Sequence, residues 1–268
     1  MFWLVLSIGA RPAAGADAHS AFNEGVKFYK AARYKEAVTA FSRALTLAPK
    51  SDEAYNNRGL AHFKLGQYDE AVKDYDEAIK LNEKFIDAYF NRGNANFARK
   101  NFDQAARDFS AVIKLDPKTP RAHRQRALAR NALDQFEAAV QDFNEAQKLD
   151  PKDPEVYYGR GFAHRRLGKN QLAVQDYSEA IKLAPKNAES YNNRANAYSL
   201  LGKFDEAVKD YDEAIKLDGK NARIYANRGV IRARQGKNDD ARKDFRRAIE
   251  LDPSLKDKIE PLMAPAGK

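Results

Sequence analysis

The 268-residue chain contains no cysteine, which excludes disulfides, thiolate nucleophiles and zinc–thiolate sites. Histidine is scarce too, at four, and with no cysteine beside it no metal is expected. The one sizeable apolar run, residues 2–10, is too short to cross a bilayer, which takes about 20 residues. Charge of one sign is never concentrated. Lys and Arg number 47 against 38 Asp and Glu, a net of +9, but the basic residues are spread along the whole chain. Such charge keeps a chain soluble and favours acidic partners without marking a patch. Absent as well are a phosphate-cradling loop, a Gly-rich dinucleotide turn, HExxH and any legible Ser-His-Asp order. No enzyme and no cofactor are expected.

What the chain does have is a period. Residues 55–81 read YNNRGLAHFKLGQYDEAVKDYDEAIKL, and residues 191–217 read YNNRANAYSLLGKFDEAVKDYDEAIKL, 136 residues later, which is four times 34. Laid out at 34 without a gap, the chain gives seven repeats: 18–51, 52–85, 86–119, 120–153, 154–187, 188–221 and 222–255. The twentieth place is alanine in all seven (Ala37, Ala71, Ala105, Ala139, Ala173, Ala207, Ala241), a size that lets two helices approach closely. Four places on stands an aromatic ring (Phe41, Tyr75, Phe109, Phe143, Tyr177, Tyr211, Phe245), and three further an alanine, except for Val112. These spacings trace one helical face. Place 8 is Gly or Ala throughout, and place 32 is proline in five repeats. Each repeat reads as a helix over roughly places 2–14 and a second over 18–31, with Gly66, Gly168, Gly202 and Gly236 at place 15 marking the turn.

Small residue, aromatic, Ala, aromatic, Ala and Pro in this order at a period of 34 resemble the tetratricopeptide repeat, over residues 18–255. The resemblance implies an all-α fold, a right-handed superhelical solenoid of helix-turn-helix repeats, in which each repeat touches only its neighbours. Departures are local: Ala21 and His123 replace the large aromatic of place 4, and Asn170 and Asn238 that of place 17. Residues 256–268 read as a short cap and tail, with Leu255, Ile259 and Leu262 covering the last apolar face and Pro261 keeping the helix short.

One recurrence goes beyond the minimal pattern. In repeats 2 to 7 place 7 is Arg58, Arg92, Arg126, Arg160, Arg194 and Arg228, and place 23 is Asp74, Asp108, Asp142, Asp176, Asp210 and Asp244, while repeat 1 has neither. Pairing within each repeat strands no residue, so six Arg–Asp pairs are expected as ties between helices rather than as a site. Paired acids such as Asp69-Glu70 and Asp212-Glu213 fall on outer places and recur with the period, as solvated faces do and glycosidase carboxylates do not. His62 and His164 share place 11, where a hydrogen-bonded interior imidazole fits better than a ligand.

In the family, first helices line the concave surface through places 2, 5, 6, 9, 12 and 13. Place 6 here is Asn23, Asn57, Asn91, Gln125, Gly159, Asn193 and Asn227, with Asn94 and Asn196 at place 9. An amide both donates and accepts, which suits the backbone of an extended peptide. The alternative is a merely tolerated polar residue, against which the low helix propensity of Asn argues. Aromatic groove places gather early (Phe22, Tyr29, Phe63, Phe90, Phe97), and arginines later (Arg121, Arg124, Arg165, Arg166, Arg223, Arg234). The expected function is a non-enzymatic scaffold holding a protein or peptide ligand with an acidic portion. A helical-repeat nucleic-acid binder is the alternative, which the lack of an arginine-rich run disfavours.

Ahead of the repeats, the apolar residues 2–10 and the small-x-small patterns at Ala14-Gly15-Ala16 and Ala16-Asp17-Ala18 resemble a secretory signal over residues 1–17, although no basic residue precedes the run. An exported, periplasmic protein of the bacterial type, with no membrane span in its mature chain, is the expectation; a cytoplasmic protein with an apolar leader is the alternative.

Overall fold

The computed structural model describes residues 15–263; the apolar run and most of the cleavage pattern lie outside the described residues, as does the tail beyond Met263. Among the described residues every element is helical. The order is α1 (Gly15–Lys30), α2 (Tyr34–Leu47), α3 (Asp52–Lys64), α4 (Tyr68–Leu81), α5 (Ile86–Ala98), α6 (Phe102–Leu115), α7 (Pro120–Ala132), α8 (Phe136–Leu149), α9 (Pro154–Arg166), α10 (Asn170–Leu183), α11 (Ala188–Leu200), α12 (Phe204–Leu217), α13 (Ala222–Arg234) and α14 (Asn238–Leu251). A 3-10 turn, Pro253–Leu255, leads into α15 (Lys256–Met263). The helices fall into two compact bodies, an N-terminal one holding α1 to α7 and a C-terminal one holding α8 to α15. Within each, a helix packs on the helices before and after it in sequence, and first helices of adjacent repeats also touch: α1 with α3, α3 with α5, α9 with α11, α11 with α13.

The recurring small residues explain the closeness of the helices. All seven place-20 alanines and all seven place-24 rings are 0–2% exposed. A Cβ at Gly25 would lie 2.6 Å from the Phe41 ring, at Gly59 2.8 Å from Tyr75 and at Gly229 2.7 Å from Phe245, so place 8 is small because the ring of its own repeat rests on it.

From the second repeat on, both helices begin and end one residue earlier than their periodicity predicts, at places 1–13 and 17–30. In four of these repeats place 34 of the preceding repeat caps the first helix. Ser51 accepts from the Ala54 N–H at 3.1 Å, Asp153 from Glu155 at 3.0 Å, Asn187 from Ser190 at 3.1 Å and Asn221 from Arg223 at 3.2 Å. At its far end the chain passes through a left-handed residue at place 15. Gly66, Gly168, Gly202 and Gly236 take φ of 72–76°, and Ala32, Lys100 and Asp134 adopt the same turn at 56, 62 and 58°. Each closes a six-to-one bond of the Schellman type, such as Gln67 N–H to the His62 carbonyl at 3.0 Å and Asn101 N–H to Asn96 at 2.8 Å.

Five of the expected arginine–aspartate pairs are formed: Arg58–Asp74, Arg92–Asp108 and Arg228–Asp244 at 2.6 Å, Arg160–Asp176 and Arg194–Asp210 at 2.7 Å. The members of the sixth, Arg126 and Asp142, belong to different bodies. The five aspartates are only 1–6% exposed, so these are buried pairs. Each arginine also reaches back 16 residues to place 25 of the preceding repeat, which the sequence reading missed. Nη1 of Arg58 donates to Ser42 Oγ at 3.1 Å, Arg92 to Asp76 at 2.7 Å, Arg126 to Ser110 at 3.0 Å, Arg160 to Asn144 at 2.6 Å, Arg194 to Ser178 at 2.9 Å, and Arg228 to Asp212 at 2.5 Å. One guanidinium thereby ties three helices. The signal was present: place 25 is an acceptor in every repeat but the last, where it is Arg246 and the next place 7 is Leu262 rather than an arginine.

α15 closes that end in phase with the repeats. Ile259 takes place 4 of the next period and is 3% exposed, with Leu255 and Met263 packed beside it against Phe245 and Ala248. Leu262, expected to help cover this face, is instead 51% exposed, and Met263 does that work.

Candidate functional site

The place-6 amides do not form an open row. Asn91 Nδ2 donates to Asn56 Oδ1 at 3.0 Å, Asn193 Nδ2 to the Tyr158 hydroxyl at 2.9 Å and Asn227 Nδ2 to Asn192 Oδ1 at 3.3 Å. In all three the acceptor lies one period plus one residue earlier, at place 5 of the preceding repeat. Gln125 Nε2 donates to Asn94 Oδ1 at 2.9 Å, and Asn196 Oδ1 accepts from the Tyr211 hydroxyl at 2.6 Å. Asn57, within reach of the Asn56 amide at 3.4 Å, is fully buried, as is Asn91. Of the amides expected to face a ligand backbone, Asn91, Asn94, Gln125, Asn193, Asn196 and Asn227 thus bind neighbouring helices, and a ligand does not reach Asn57 or Asn91 in this structure. Asn23 is exposed on α1, while Asn94, Gln125, Asn193, Asn196 and Asn227 are half-buried.

The early aromatics are also largely committed to pairs between helices. Place 12 packs tilted or edge-on against place 17 of its own repeat in Tyr29–Tyr34, Phe63–Tyr68 and Phe97–Phe102, with ring centroids 5.4, 5.1 and 5.1 Å apart. Place 5 meets place 24 in the same way in Phe22–Phe41 and Phe90–Phe109, at 5.6 and 5.5 Å. Phe90 is 5% exposed, and the other four keep part of one face in solvent. Recurrent separations of 5 and 19 residues carried this pairing in the sequence.

The arginines are more accessible. In the C-terminal body Arg166 is exposed, its guanidinium 4.5 Å from the Phe136 ring and 5.8 Å from Phe162, and half-buried Arg165 lies 5.5 Å over Phe162. Stacking on rings orients both guanidinium groups. Burial pushes the neighbouring Tyr177 hydroxyl up to about 12, with Arg165 pulling the other way, and burial with Glu189 nearby raises Tyr158 too, so both stay neutral. Arg223 and Arg234 are exposed on α13. In the N-terminal body Arg121 and Arg124 of α7 are half-buried. His164 is an interior imidazole, with Nδ1 2.8 Å from Asp176. Among the described residues no group of three or more His, Asp or Glu side chains is placed to hold a metal ion, and no helix is long and apolar enough to cross a membrane.

Stacked helix pairs at a period of 34, with these small and aromatic places, are matched by two family profiles. The one described as TPR repeat matches residues 25–66, 59–99, 129–168 and 161–202, and the one described as tetratricopeptide repeat matches 86–119, 188–221 and 222–255. The chain belongs to the tetratricopeptide repeat family. No curated protein matches the sequence. Among solved structures this tetratricopeptide repeat chain is similar to a tetratricopeptide repeat protein from Parabacteroides merdae, with 21% identity, a TM-score of 0.71 and coverage of 93% of this chain and 98% of that one. It is also similar to the C-terminal part of a TPR repeat-containing protein from Cytophaga hutchinsonii, with 20% identity, a TM-score of 0.72 and coverage of 90% and 99%. YrrB, described as a TPR protein with an unusual peptide-binding site, shares 19% identity and a TM-score of 0.59 over 67% of this chain and 93% of its own. At these identities the likeness is one of fold.

Proposed function

We propose that the protein is a non-catalytic scaffold that holds an extended segment of another protein against its first helices, and that the acidic portion of that segment meets the arginines of the C-terminal body. The observation that carries this reading is the set of first helices α9, α11 and α13. They present Arg165, Arg166, Arg223 and Arg234 against Glu155 and Glu189, beside half-buried Asn192, Asn193, Asn196 and Asn227. Ring stacking leaves the Arg165 and Arg166 guanidinium groups oriented for carboxylates, and the part of each amide not used between helices is available to a peptide backbone. The aromatic faces left half-open in the N-terminal body suit the apolar portion.

The test is crosslinked capture from the native host with the full chain and with Arg165→Ala/Arg166→Ala, each with and without nuclease. A protein segment rich in Asp or Glu that is captured by the parent, is depleted in the variant and survives nuclease supports the scaffold. Capture abolished by nuclease overturns it in favour of nucleic acid. We further propose that the scaffold works outside the cytoplasm after loss of its leader. Sequencing the protein from its host should find a start near Asp17 or His19, and an intact Met1 contradicts this.

A further inference from the structure

In the N-terminal body the entry to α5 departs from the other repeats. The place before a first helix is Ser51, Thr119, Asp153, Asn187 or Asn221 elsewhere, but Phe85 here, and its side chain caps nothing. Place 27, alanine in the other repeats, is Val112. Around these two substitutions opens a cavity of about 420 Å3, with Phe85, Ile86, Phe90 and Val112 as apolar walls and Asp87, Asp116, Thr119 and Lys84 as its polar lining.

The two carboxylates differ. Asp116 is engaged by its own loop, accepting from the Thr119 hydroxyl at 2.8 Å and the Lys118 N–H at 3.0 Å, and these bonds hold it below its usual range. Asp87 is half-buried and forms no hydrogen bond or ion pair among the described residues; burial pushes its carboxyl above the usual range. Lys84 is exposed at the rim and forms no ion pair among the described residues. A desolvated carboxylate beside apolar walls is costly when alone and favourable once a cation reaches it. Resting on the scaffold reading, we propose that this cavity receives a lysine or arginine side chain of the bound partner, with its methylenes against Ile86, Phe90 and Val112 and its cation on Asp87. The walls suit the stem of such a side chain and the acid suits its head.

Hexylammonium is the probe, with hexan-1-ol and hexanoate as controls, followed by amide NMR shifts of the full chain. Hexylammonium should shift residues 84–90 and 112–119 saturably and bind about fivefold more tightly than hexan-1-ol, with hexanoate weakest. Asp87→Asn should erase the preference for the amine while the rest of the spectrum is unchanged, and so should lowering the pH until Asp87 is protonated. Lys84→Ala should tighten amine binding. No saturable shift at these residues, equal binding of hexanoate, or a preference that survives in Asp87→Asn overturns the proposal. The scaffold reading fails separately, through loss of partner capture, which hexylammonium does not probe.

Discussion

The turns between first and second helices differ between the two bodies. In the C-terminal body all of them carry glycine at the left-handed place (Gly168, Gly202, Gly236), whereas the N-terminal body has Gly66 but also Ala32, Lys100 and Asp134 at the same backbone angle. The turn is therefore set by the packing of the two helices and the six-to-one bond, and glycine only lowers its cost. The hydroxyls of the buried tyrosines do not divide in this way. Tyr211 donates to Asn196, but among the described residues neither Tyr75 in the N-terminal body nor Tyr177 in the C-terminal body has a hydrogen-bond partner for its hydroxyl, place 9 of their repeats being Leu60 and Phe162. It is in the turns that the N-terminal body carries the greater local strain.

The largest expected effect concerns the buried ion pairs. Asp210→Ala leaves Arg194, among the described residues, with the Ser178 hydroxyl as its hydrogen-bond acceptor beside the Tyr191 and Tyr198 rings and should cost about 3–5 kcal/mol in chemical denaturation. Asp108→Ala leaves Arg92 with Asp76 but also takes the acceptor from the Asn96 and Gln104 amides, so its cost should be comparable. A loss under about 1 kcal/mol in either variant would show that its pair behaves as an exposed one.

Next come the turns. Gly202→Ala in the C-terminal body should lower stability by about 1–2 kcal/mol, since a Cβ disfavours the left-handed conformation. Lys100→Gly in the N-terminal body should raise it by up to about 1 kcal/mol, the lost strain being partly offset by glycine's greater freedom when unfolded. Thermal melting of both variants checks the pair; destabilisation by Lys100→Gly would remove the contrast between the bodies. Smaller still, Tyr211→Phe should cost about 1 kcal/mol for its lost hydrogen bond, and Tyr75→Phe should be neutral or stabilising because it removes a buried hydroxyl with no partner.

Most of the fold was legible in the sequence, because every repeat writes the same packing: alanine at place 20, a ring at place 24, a small residue at place 8 beneath that ring. The arginine–aspartate pairs were legible for the same reason, each partner recurring at a fixed separation of 16. Contacts between repeats were harder to read. Place 25 alternates among Ser, Asp and Asn, so its common role as acceptor for the next arginine is hidden behind changing chemistry. The candidate site was the least legible part. Asparagine at place 6 serves a neighbouring helix as well as it would a ligand, and only the position of place 5 in the preceding repeat distinguishes the two uses. Leu262 and Met263 are both apolar, and which of them turns inward depends on where the capping helix sits.

The central claim is that the recurring amides bind helix to helix. A double-mutant cycle on Asn192→Ala and Asn227→Ala, read by chemical denaturation, tests it without any ligand. Asn227→Ala should destabilise the protein, and the two substitutions together should cost less than their sum, with a coupling of about 0.5–1.5 kcal/mol. Unchanged stability in Asn227→Ala, or strictly additive losses, would contradict it.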